Sequence, residues 1–170
     1  DEDFWTIIYL HEGEQFKFAP QAGWGDDFGG QATVNDVAGA NITVDGTNLV
    51  AGKAGWYLLY IHNGSERTFT VLEPNVYLIG DTAGEWNVAD SHKFTVPTTE
   101  DGVFESPAFA NDAELRMCVS IDNFDWWKTE FIILDGNIAY RGRGGDQDRV
   151  AVKAGQKAYL SFAKGTGEIK

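Results

Sequence analysis

The chain has 170 residues, enough for one domain or two small ones, and its 26 acidic against 13 basic side chains leave a net charge of −13. That charge excludes nucleic acid and anionic membrane as partners, because each needs a cationic face. A hydrophobic share of 43% excludes disorder, and 14% aromatics with 20 glycines point to an all-β protein.

Period-two alternation bounded by Gly, Asn, Asp or Pro predicts strands at 4–10, 14–19, 56–61, 67–72, 76–79, 103–109, 114–119, 131–134, 150–153 and 158–163. In the run 114–119, Leu115, Met117 and Val119 share one face, and Glu114, Arg116 and Cys118 the other. No longer window holds a 3.6-residue period with caps. No run approaches the length of a membrane-spanning helix, so no transmembrane segment is expected. The lone Cys118 forms no intramolecular disulfide. The opening Asp1-Glu2-Asp3 has neither a basic nor an apolar leader region, which predicts a cytosolic chain or a processed or truncated piece of an exported one.

The chain also repeats itself. The segment 13–18 (Gly-Glu-Gln-Phe-Lys-Phe) lies on 112–117 (Asp-Ala-Glu-Leu-Arg-Met), and Trp24 with Phe28 lies on Trp127 with Phe131. Asn41-Ile42 matches Asn137-Ile138, and Lys53-Ala54-Gly55 matches Lys153-Ala154-Gly155. Four landmarks in one order predict two related modules, 1–74 and 75–170, joined near Glu73-Pro74. Module two opens with Val76–Gly80 and a loop to Trp86, for which module one has no counterpart. The prediction is two small tandem β-sandwiches, Ig-like or carbohydrate-binding-module-like, the first lacking its opening strand.

Most catalytic chemistries lack their residues. No Gly-x-Ser-x-Gly turn is present, and His11, His62 and His92 are scattered and read as surface or edge residues. Cys118 reads as packing. Without Cys-x-x-Cys or His-x-x-x-His no zinc site is expected. The acids at 122–125 and 146–148 lack the spacing of a calcium loop and read as solvated turn acids. Arg141-Gly-Arg-Gly-Gly-Asp146 does not end as a phosphate loop does. No cofactor and no metal are expected. Paired carboxylates for glycoside hydrolysis remain a lesser reading.

An aromatic and cationic set in module two remains: Trp86 in a loop, Arg116 in mid-strand, Trp126 and Trp127, then Arg141. An exposed indole stacks on the apolar face of a pyranose, while guanidinium groups donate to its hydroxyls. Two rings set at an angle suit a curved α-glucan; a flat row suits a straight β-glucan. If 126–127 is extended, the two rings point to opposite sides.

At Val76–Asp81 with Gly84-Glu85-Trp86, then 114–117, Asp125-Trp126-Trp127-Lys128 and Lys153–Gly155, the chain resembles the repeated modules of the SusE/SusF family, surface-exposed outer-membrane starch-binding lipoproteins of Gram-negative gut anaerobes. The resemblance implies non-catalytic, tandem β-sandwich modules that hold maltooligosaccharide beside other outer-membrane glycan-uptake proteins. It also implies a lipid anchor upstream of this chain. It places Trp86 as the first-loop aromatic, Arg116 as the mid-strand cation, Trp126 as the second aromatic and Arg141 as the cation after it. By its match to Trp24, Trp127 becomes the structural member of its pair. Module one departs from the pattern, with Lys17 at the place of Arg116 but Gly23 and Asp45 at those of Trp126 and Arg141, and reads as a spacer. The alternatives are an Ig-like structural or adhesion module that binds protein, and a module for a non-starch glycan.

Overall fold

Strands carry nearly all the regular structure, joined by turns and two short 3₁₀ turns. The computed structural model describes residues 2–170 and divides into two units, Asp1–Pro74 and Asn75–Lys170. Unit 1 contains β1 (Asp3–Leu10), β2 (Gln15–Phe16), β3 (Thr33–Asp36), β4 (Thr43–Asp45), β5 (Asn48–Val50), β6 (Gly55–Asn63) and β7 (Arg67–Leu72). They form a four-stranded sheet, β1-β6-β7-β3, and a three-stranded sheet, β2-β5-β4. β1 and β6 are antiparallel from Asp3↔His62 to Leu10↔Gly55, and β3 joins β7 in parallel. Tyr57, Leu59 and Ile61 of β6 alternate into a core with Phe69, Val71, Leu49 and Phe28.

Unit 2 contains β8 (Val76–Leu78), β9 (Phe104–Glu105), β10 (Ala113–Glu114), β11 (Met117–Val119), β12 (Glu130–Leu134), β13 (Asn137–Tyr140), β14 (Ala151–Val152), β15 (Ala158–Ser161) and β16 (Thr166–Ile169). Seven of these run in the order β8-β11-β12-β13-β16-β15-β9, with β10-β14 beside them. A single residue pair, Asn137↔Thr166, joins β13 to β16. Two layers of the expected sandwich are thus stitched at one edge. Phe162 meets both Phe104 of β9 (centroids 4.9 Å) and Phe131 of β12 (6.0 Å), so the two halves of the sheet share a core.

Several predicted strands are shorter or broken; 14–19 keeps only Gln15–Phe16 and 150–153 only Ala151–Val152. The run 114–119 divides between β10, which pairs β14, and β11, which pairs β8 and β12. The chain changes sheets at Leu115 and Arg116, and 115–119 is buried on both faces. The run 103–109 keeps only Phe104–Glu105 as strand. β3, β4, β5, β13 and β16 are additions. β13 follows a two-residue turn in which Asp135 and Gly136 both have positive φ (49° and 77°), the geometry that Asp-Gly favours in hairpins. The turn sets the register Phe131↔Tyr140 to Leu134↔Asn137, which carries Arg141 to Glu130.

Candidate functional site

Cross-strand pairing in unit 2 assembles the site. Tyr77 pairs with Cys118, Cys118 with Glu130, and the Arg141 amide donates to the Glu130 carbonyl (3.0 Å). One row, Tyr77, Cys118, Glu130 and Arg141, therefore crosses four strands on one face. Arg116 is two residues from Cys118 and on the same face, diagonal to Glu130. Two loops bring indoles onto this row.

Trp86 comes from the loop after β8, where Gly80 at φ +81° turns the chain back and its amide donates to Glu85 (2.8 Å). A side chain at Gly80 would begin 3.0 Å from the Trp86 ring, so the bare backbone is the seat of that indole. Gly80→Ala therefore lifts the ring and strains the turn. The expected result is a loss of glycan affinity at least as large as the loss in folding stability, about 1–2 kcal/mol, read by affinity electrophoresis and thermal melting.

The segment Trp126–Lys128 is a 3₁₀ turn, not extended chain. The extended chain that would send Trp126 and Trp127 to opposite sides is therefore not present; the structural role expected of Trp127 rested separately on its match to Trp24. Trp126 is half-buried against Tyr77, Ile79 and Cys118, while Trp127 is 40% exposed and reaches the same hollow. Trp24, the residue that suggested a structural Trp127, is itself 79% exposed. The rings of Trp86 and Trp126 lie 5.3 Å apart between centroids, tilted by 47°.

The Arg116 guanidinium stands over both rings, 5.4 Å from the Trp86 centroid and 5.3 Å from that of Trp126. Arg141 stands 5.4 Å from the Trp127 ring. Both cations are held by Glu130, whose side chain is wholly buried. Arg116 Nη1 donates to its two carboxylate oxygens (3.1 and 3.0 Å), and Arg141 Nη1 lies 3.5 Å from one of them. Asp146, 3.6 Å from each guanidinium and paired with Arg149, closes the ring of charge at the surface. It is engaged by arginines, not a solvated turn acid. Glu130 faces two cations, so its buried charge is compensated and each guanidinium is fixed in direction.

Trp86, Arg116, Trp126, Trp127, Arg141 and Asp146 line an open hollow of about 370 Å³. A second hollow of about 240 Å³ lies across Trp86 and Arg116, bordered by Asp81 and Glu114. All four residues expected at the site thus converge. Aromatic faces with guanidinium donors and carboxylate acceptors can stack on and hydrogen-bond a polyhydroxylated ring.

Other expectations divide. Cys118 is buried packing; burial and the charge of Glu130 push its thiol up to about 12. His92 is buried, not a surface residue, because its ring is enclosed by the Trp86 loop. Among the described residues no group of three His, Cys, Asp or Glu converges as a metal site. In unit 1 Lys17 Nζ lies 4.8 Å over the Trp24 ring and 2.7 Å from Asp27, whose carboxyl this contact holds below its ordinary range.

A family model described as SusF/SusE starch specific CBMs matches residues 1–71 and 75–168. The chain is 49% identical over 178 residues to the protein named Outer membrane protein SusF of Bacteroides thetaiotaomicron. That match takes in 98% of this chain and 36% of the relative, so the chain spans little more than a third of its length. The crystal structure of SusF from the same organism superposes with a TM-score of 0.93 at 48% identity, over 99% of this chain and 40% of that one.

Proposed function

From the premise that the chain belongs to the SusF/SusE family of starch-specific carbohydrate-binding modules, we propose that it binds starch and maltooligosaccharides, without cleaving them, through the hollow of unit 2. Trp86 and Trp126 are the stacking platform, with Trp127 beside them, and Arg116 and Arg141 donate to sugar hydroxyls. The observation that carries this reading is the 47° tilt between two neighbouring indoles. A curved α-glucan offers successive rings at an angle, which a straight β-glucan does not. The relative named as an outer-membrane protein supports a place at the bacterial outer membrane.

The hollow is open and shallow, so affinity is modest, with Kd between tens of µM and mM, about −4 to −6 kcal/mol. Electrophoresis through gels containing starch, xylan or mucin tests the reading: starch retards the protein, and retention by xylan or mucin alone sinks the α-glucan assignment. Incubation with maltoheptaose leaves the oligosaccharide intact; product formation would overturn the non-catalytic reading.

Unit 1 serves as a spacer in this reading. Among the described residues its exposed Trp24 has no second ring tilted against it, and the cation above it is paired with Asp27. Lys17→Ala is expected to leave retention on starch unchanged, and a loss of more than about threefold would place a site there as well.

A further inference from the structure

Backbone bonds close the first half of the loop that carries Trp86: the Gly80 amide donates to Glu85, Ala83 to Gly80 and Gly84 to Asp81. Beyond Glu85 that support ends, and among the described residues the segment 86–88 makes no backbone–backbone hydrogen bond. Yet an exposed stacking ring is useful only if its direction is fixed before the ligand arrives.

The anchor lies outside the hollow. His92 ends the 3₁₀ turn Asp90–His92, and its ring is 9% exposed. Nε2 lies 3.1 Å from Glu85 Oε1, and Nδ1 lies 3.3 Å from the carbonyl oxygen of Asn87. The imidazole therefore reaches both chain neighbours of Trp86. Both partners are acceptors, so the doubly protonated ring donates to the two at once and the neutral ring to one. Its own backbone is tied to the sheet: Lys93 bridges Tyr77, and the Phe94 amide donates to Val76 (2.8 Å). A strut thus runs from the edge strand β8, the strand of Tyr77, to the two residues that flank the indole.

We infer that His92 is a positioning residue for the Trp86 wall of the groove, holding that indole at its angle to Trp126 by tethering Glu85 and Asn87. The inference rests on the reading of Trp86 as a glycan platform. It adds a determinant of affinity that touches no ligand.

The test separates the two. In ¹H–¹⁵N spectra of the whole chain, the Trp86 indole N–H is the peak missing from Trp86→Phe, and maltoheptaose is the titrant. His92→Ala is expected to shift or broaden the Trp86 peak, leave that of Trp56 in place, and weaken maltoheptaose binding about fivefold to tenfold. His92→Asn retains a donor toward Asn87 and His92→Gln one toward Glu85, so each is expected to lose less than His92→Ala. Should His92→Ala fail to fold, Glu85→Ala removes one tether at a half-exposed residue and is expected to give the same signature in weaker form. An unmoved Trp86 peak in these variants overturns the inference, as does a moved peak with undiminished affinity. If the unmutated protein ignores maltoheptaose, the glycan reading fails, and the Trp86 peak alone still decides whether His92 holds the ring.

Discussion

Trp86→Ala is expected to remove retention on an α-glucan gel, with affinity reduced about thirtyfold or more, while the melting temperature stays within a few degrees of the parent. The ring is 48% exposed, and its loss opens no sealed cavity. Trp126→Ala is expected to weaken binding as much but to cost more stability, about 1–2 kcal/mol. That ring is half-buried against Tyr77, Ile79 and Cys118, so its loss removes packing as well as the proposed platform. Affinity electrophoresis with thermal melts separates the two effects. If Trp86→Ala unfolds the protein, the indole belongs to the core and the platform assignment fails.

The other large effect is expected at Glu130. Glu130→Ala leaves Arg116, itself buried, and Arg141 with only the half-exposed Asp146, 3.6 Å from each, in place of the buried carboxylate. Removing one partner of a buried ion pair costs about 3–5 kcal/mol, because the remaining charge loses its compensation. Binding should fall with stability, since both guanidinium groups lose their direction beside the indoles. Glu130→Gln keeps an acceptor oxygen and the side-chain shape, so its expected stability loss is smaller while affinity still drops. Urea unfolding and maltoheptaose titration of the two variants measure this. Parent-like affinity in a folded Glu130→Ala would show that the cations act without it.

Much of this site was legible before any coordinates. Trp86, Arg116, Trp126 and Arg141 come from loops and strands of one repeat unit, and the repeat with its family resemblance marked them. The predicted runs captured β1, β6, β7 and β12 because each is an apolar run paired over four residues or more; β7 alone buries alternate residues, and β12 is buried along nearly its whole length. They overran where pairing is brief, since β2, β9, β10 and β14 hold two residues each, and they passed over β3, β4 and β5. β13 had a readable signal that alternation passes over, the Asp135-Gly136 turn.

Trp127 was read as structural through its match to Trp24, and a repeat match carries no information on exposure: Trp24 is 79% and Trp127 40% exposed. Glu130 and His92 were the harder cases. Their importance depends on what lies across the sheet or beneath a loop, which a one-dimensional pattern does not record.

The central claim is that Trp86 and Trp126 together contact an α-glucan. The direct measurement is the ¹H–¹⁵N spectrum of the whole chain as maltoheptaose is added, with cellohexaose as the straight-chain control. The indole N–H peaks of Trp86 and Trp126 are expected to move with maltoheptaose and not with cellohexaose, while those of Trp24 and Trp56 stay still. Movement confined to Trp24, or equal movement with cellohexaose, would contradict the account.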